Sequence, residues 1–453
     1  MVNSDRLGKG QCTHQSDVYM EMKGNTIAIV LLVVGLIVGG GVGYFMSPSG
    51  TDEGTGGDGE TQIVEKIPLD GQKIQVGYIV PTTATLETAQ PLVKEIMEPD
   101  MNEYVERLGY DVEYEWLIDD AQGQAALHLE KVQGFKSMGV DVFIGATWSS
   151  MCQAALSYVN DNDMLMWSTG STSPLLSIAD DNFFRMCPTD LVQAPALSRM
   201  LESMGIKAVI LIYRGDAWAD GIVNIFAPMF EENGGVILEE IRYAGETTEF
   251  SNYLQTAENI AKDAVAEYGE GKVAVEVIAF AEYVTMITQA QDYPTLYSLP
   301  WFGNDGTVLS QQALDDAPEQ AAHLKIYSTY AAPADTEKFN SLYDRFFSLV
   351  SQPFGYYSAC AYDVGTLMSS TMLETQSTDA IDLVPLQRPK AYDQFGASGW
   401  NRLNEDGDRY ASNYQIWAVN DEATSWEVYG MYNAQTDSVE WNTELLGFTP
   451  QGR

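Results

Sequence analysis

The sequence predicts an α/β fold made of two successive units, on three observations. From Lys73 onward, short β-branched apolar runs alternate with longer stretches at helical spacing. The alternation restarts near Asp190, after enough chain for one complete sheet. Several of the runs are apolar throughout, as strands of a parallel sheet covered on both faces must be.

The elements justify this in order. KIQVGYIVP is a strand ended by Pro81, and a helix is expected over about residues 85–108. DVEYEWLIDD is a strand, and AALHLEKVQGFKSMG is a helix stopped by Gly139. VDVFIGA, SSMCQAALSYVNDND and MLMWSTG follow as strand, helix and strand. The second series is helix QAPALSRMLESMG, strand KAVILIY, helix WADGIVNIFAPMFEENGG and strand VILEEIRYA. A helix from about Asn252 leads to VAVEVIAF, AEYVTMITQAQ and LPWFGND.

Ahead of the body, residues 26–46 read TIAIVLLVVGLIVGGGVGYFM without a charge. About 20 apolar residues span a bilayer as a helix. Lys23 precedes the run, and Asp52, Glu53, Asp58 and Glu60 follow it, which puts the N-terminus inside and the body outside. Residues 1–25 are then a cytoplasmic tail, 26–46 a single transmembrane anchor and 47–72 a flexible acidic linker. A cleaved signal peptide is the rival reading, but its apolar region runs about 7–15 residues and ends at a small-residue site, and this run is longer.

Composition narrows the function classes. The chain has 453 residues, 64 acidic against 24 basic, and a net charge of -40. Such a field repels nucleic acid and anionic lipid and keeps the body soluble. Cys12, Cys152, Cys187 and Cys360 form no C-x-x-C pair. Cys152 and Cys187 either pair in an oxidising compartment or are small buried thiols. His14, His128 and His323 stand far apart, so neither a metal site nor a histidine triad is expected. H-E-x-x-H, G-x-S-x-G, a Walker loop and G-x-G-x-x-G before a helix are all absent, so no catalytic residue and no cofactor are assigned.

Ligands of open parallel sheets sit beyond the carboxyl ends of the strands. Those ends carry Pro81-Thr82-Thr83, Thr147-Trp148-Ser149-Ser150, residues 168–173, residues 213–218, Phe280-Ala281-Glu282 and Asn304-Asp305-Gly306. Hydroxyls at a helix start would suit a carboxylate, because the first N–H groups are free there. Helix capping by Ser and Thr explains any single one of these ends equally well.

The segments FIGATWSSMCQAALSYVNDNDMLMWSTGSTSPLLS, FFRMCPTD, KAVILIYRGDAWADG and FGASGWNRLNEDGDRYASNYQIWAV resemble the branched-chain amino-acid (leucine/isoleucine/valine) binding proteins. These are type I solute-binding proteins of ABC importers, and the likeness covers about residues 73–432. It implies two Rossmann-like lobes joined by a three-strand hinge, the type I periplasmic-binding fold. Lobe 1 would take 73–189 and 333–411, and lobe 2 would take 190–332 and 412–453. It places a ligand carboxylate at Ser149 and Ser150 and at Ser171 and Thr172. Asp190 falls where the chain crosses between lobes, and Trp218 where an aromatic side chain faces the ligand. Asp305 matches the partner of the ligand ammonium, and Phe280 and Glu282 are further candidates. The bulk of Trp148, Tyr213 and Trp218 leaves amides and aromatic or larger amino acids open as ligands. The implied partners are a small amino acid or amide, an ABC permease and its ATPase. A sensory ligand-binding module is the alternative, set back by the short tail before the apolar run.

Overall fold

The computed structural model describes residues 68–450. The expected tail, anchor and most of the linker lie outside the described residues, as do Cys12 and His14. Among the described residues, no helix is long and apolar enough to cross a membrane.

The first sheet holds β1 (Gln72–Val80), β2 (Val112–Asp120), β3 (Val142–Ile144), β4 (Leu165–Ser168) and β5 (Phe183–Pro188). The second holds β6 (Ala208–Gly215), β7 (Val236–Ala244), β8 (Val273–Ile278), β9 (Trp301–Gly303) and β10 (Tyr327–Ala331). The chain then returns to the first sheet for β11 (Asp408–Arg409) and ends in the second with β12 (Tyr414–Val419), β13 (Trp426–Asn433) and β14 (Ser438–Trp441).

The two sheets repeat one topology. The orders are β2-β1-β3-β4-β5-β11 and β7-β6-β8-β9-β10-β12-β13-β14. The first five strands of each are parallel, with Gly77 of β1 opposite Phe143 of β3 and Leu211 of β6 opposite Glu276 of β8. The last three strands of the second sheet run antiparallel. In both sheets the strand order turns back between the first and third strands, and crevices open at that switch point.

Burial explains the apolar runs. Val209, Leu211 and Tyr213 of β6 face one core, and Ala208, Ile210 and Ile212 face another. A strand covered on both faces has no solvent side to mark with polar residues.

The helix expected over 85–108 begins earlier and changes pitch. Thr82 caps Thr83–Pro91, a π-helical turn covers Leu92–Met97, and α-helix resumes over Glu98–Arg107. Pro91 has no N–H to give and its ring crowds the preceding turn, and the wider turn that follows takes up the offset. Cys152, Cys187 and Cys360 are buried free thiols, so the second of the two cysteine readings holds.

Candidate functional site

The ends of β3, β4, β6, β8 and β9 converge on one cavity of about 170 Å³. It is lined by Thr147, Trp148, Ser149, Gly170, Trp218, Phe280, Asp305, Gly306 and Tyr357. Roomier grooves of about 510 and 820 Å³ lie elsewhere. Among these cavities of the described residues, the smaller one joins the switch points of both sheets, where this topology places ligands.

Its first wall is made of hydroxyls and backbone. Trp148 precedes the helix Ser149–Asp161 without a side-chain cap. The Met151 and Cys152 N–H groups donate to the Trp148 carbonyl, while those of Ser149 and Ser150 have no acceptor within the helix. Ser149 Oγ is buried and accepts from Ser171 Oγ at 3.1 Å and from Ser173 N–H at 3.3 Å. The loop that supplies these donors is held by Arg185. This fully buried guanidinium donates to the carbonyls of Ser171 (3.1 Å) and Ser173 (2.6 Å), to Ser177 Oγ (2.8 Å) and to Asp408 Oδ1 (2.5 Å). The pairing of β5 with β11, which carries Asp408, thereby braces the hydroxyl edge of the cavity.

The second wall is aromatic and charged. Trp148 stacks on Phe280 at 4.7 Å with 10° between the planes. Phe280 stacks on Trp218 at 4.3 Å and 7°. Arg214 stands 4.5 Å from the Phe280 ring centre and binds Asp216 and Glu282, each at 2.6 Å. Asp216 also caps the helix Ala217–Glu232, accepting from the Trp218 and Ala219 N–H groups at 3.0 Å. Gly306 is required here, because a Cβ would sit 2.4 Å from the Trp218 ring and 2.4 Å from the Ala279 carbonyl.

The floor is acidic. Asp305 Oδ2 accepts from Tyr357 Oη at 2.5 Å, and Oδ1 is buried without a partner among the described residues. Burial raises the Asp305 carboxyl above the ordinary carboxylate range, and the hydrogen bond from Tyr357 pulls the other way. Asp190 lies beneath, fully buried, with neither oxygen partnered among the described residues. Burial first, and the charge of Asp305 second, push its carboxyl well up and favour the protonated form.

Of the residues singled out in the sequence, Ser149, Trp218, Phe280 and Asp305 line this cavity. Ser171, Thr172 and Asp190 lie buried outside the lining, with Ser171 supporting Ser149. Glu282 binds Arg214 and Tyr243 instead of facing the cavity, and Ser150 is half-buried outside the lining. Tyr357 carried no signal. It opens the helix Tyr356–Thr375, which returns from a distant part of the chain and follows no strand end.

Two sheets of matched topology whose switch points share one polar and aromatic cavity define a two-lobed ligand-binding protein. The chain belongs to the receptor family ligand binding region, whose model matches residues 100–422. It is 28% identical over 389 residues to an uncharacterized protein of Methanocaldococcus jannaschii, covering 81% of this chain and 91% of that one. Among solved structures, it is similar to a leucine binding protein, LivK, of Thermotoga maritima, with a TM-score of 0.65 and 18% identity over 80% of this chain and 99% of that one. It is similar also to the branched-chain amino acid transporter substrate binding protein LivJ of Streptococcus pneumoniae in complex with isoleucine. There the TM-score is 0.65, with 17% identity over 79% of this chain and 99% of that one. At these identities the structural likeness carries the fold, and it meets the family resemblance read in the sequence.

Proposed function

We propose that this chain captures a small amino-acid-like solute between its lobes and delivers it to an ABC permease and ATPase. One observation carries the reading. Asp305, with an unpartnered carboxylate oxygen, shares a cavity of about 170 Å³ with Ser149 and the start of its helix. A zwitterion would set its carboxylate on the free N–H groups and hydroxyls and its ammonium on Asp305. Charge-assisted hydrogen bonds of this kind are the strong ones.

The cavity is small beside the roughly 300–1,000 Å³ of ordinary ligand pockets, which favours a compact solute. The body acts by binding, without catalysis. Lobe 1 comprises 73–189 and 333–411, lobe 2 comprises 190–332 and 412–453, and the crossings near 190, 332 and 411 form the hinge. Passage of the chain between the two sheets at these places supports that division. The apolar run 26–46 anchors the protein, with the binding body outside the cell.

Thermal shift against amino acids and amides tests the role. A solute at 100 times its Kd adds about 2.7 kcal/mol. Asp305→Asn removes a charged partner and should weaken binding by about 1.5–3 kcal/mol, roughly ten- to hundredfold. No shift across a broad panel of amino acids and amides would overturn the role.

A further inference from the structure

We propose that Phe280 is the specificity-determining residue of the cleft, filling a slot one ring thick between Trp148 and Trp218 and so excluding aromatic solutes, a role that rests on the solute-binding function above. The three rings come from three separate elements. Trp148 precedes the helix Ser149–Asp161, Phe280 follows β8, and Trp218 lies in the helix Ala217–Glu232. Both spacings, 4.7 and 4.3 Å, and both interplanar angles, 10° and 7°, are those of stacked rings. Each indole thus stacks on the same phenyl, and a planar ligand ring stacking on either indole would need the space that the phenyl fills.

The placement of Phe280 is reinforced by a cation over its ring. Arg214 lies 4.5 Å from its ring centre, and Asp216 and Glu282 fix the guanidinium. Tyr243 Oη donates to Glu282 Oε1 at 3.0 Å, which ties the assembly to β7. The stack bounds the cavity of about 170 Å³, with Trp148, Trp218 and Phe280 all in its lining. Phe280 is half-buried and only packs against the edge of a core formed by other residues, so it can be shortened without opening that core.

The test is calorimetric titration of the full chain and Phe280→Ala with glycine, L-alanine, L-leucine, acetamide, L-phenylalanine and benzoate. Wild type should bind at least one of the four non-aromatic probes and neither aromatic one. Phe280→Ala should bind L-phenylalanine or benzoate at least roughly tenfold more tightly than wild type does. Phe280→Leu keeps an apolar side chain but removes the ring, and should show the same gain in weaker form if the alanine variant does not fold. Wild type binding an aromatic probe as tightly as an aliphatic one would overturn the gate, as would a folded variant with no aromatic gain. In either case binding of the non-aromatic probes leaves the solute-binding role intact. Binding of no probe by any of the proteins overturns that role and the gate together.

Discussion

The two walls of the cleft are built on different principles. The wall from the first sheet offers hydroxyls and helix N–H groups, with its one strong charge, Arg185, sealed inside against Asp408. The wall from the second sheet lines the cavity with the rings of Trp218 and Phe280, which an ion-pair network of Arg214, Asp216 and Glu282 supports. The contrast teaches a division of labour. In the proposed role, fixed dipoles would meet what all amino acids share, and the aromatic wall would sort what distinguishes them. Preorganised dipoles need rigid support, which is what the Arg185 network supplies.

The heaviest blow to this comparison comes from Arg185→Ala. It leaves Asp408 buried and unpaired and frees the Ser171–Ser177 loop, and should cost about 3–5 kcal/mol in denaturant melts. A loss under about 1 kcal/mol would show that the first wall is not held in this way.

The same contrast extends to pH. The first lobe buries His128, whose Nε2 accepts from the Ala146 N–H at 3.1 Å, and burial lowers its pKa from 6.5 to about 4. The folded state resists protonation, so this stability is present above pH 6.5 and is lost as pH falls toward 4, on the order of 3 kcal/mol. The second lobe buries Glu276 on β8 with both oxygens unpartnered among the described residues, and burial raises it well above 4.5. Here the folded state holds the proton. Stability is greatest below pH 4.5 and falls as pH rises toward the folded pKa. Melts across pH should therefore flatten on the acid side in His128→Leu and on the alkaline side in Glu276→Leu, with Glu276→Leu more stable than wild type at neutral pH. Unchanged pH profiles in both variants would remove this part of the comparison.

Gly306→Ala sharpens the aromatic side. The added methyl collides with Trp218 and the Ala279 carbonyl, and should cost about 1–2 kcal/mol while loosening the ring stack. Indole fluorescence and melting report the two effects separately. The smallest effect belongs to Ser150→Ala. Its side chain lies outside the cavity lining, and both stability and solute affinity should stay within about 0.5 kcal/mol of wild type.

Much of this design was legible before the structure, and the gaps have physical causes. Strand ends reported Ser149, Trp218, Phe280 and Asp305, because a parallel sheet delivers those ends to one crevice. The same rule had no means of finding Tyr357, which reaches the crevice from a helix start far along the chain. It brought in Ser150 and Glu282 as well, since adjacency in sequence does not say which side chain faces the cavity. The π-helical turn after Pro91 left the apolar spacing nearly unchanged and so gave no sign of itself. Arg185 stood in a noticed motif, but its buried partner Asp408 lies 223 residues away, and no local pattern links them.

A crystal structure of the chain with a bound amino acid tests the account most directly. The ligand carboxylate should lie within hydrogen-bond distance of Ser149 Oγ and the first N–H groups of its helix, with the ammonium on Asp305. Density for the ligand outside this cavity, for example in the groove lined by Asp100, Arg345 and Tyr362, would contradict it.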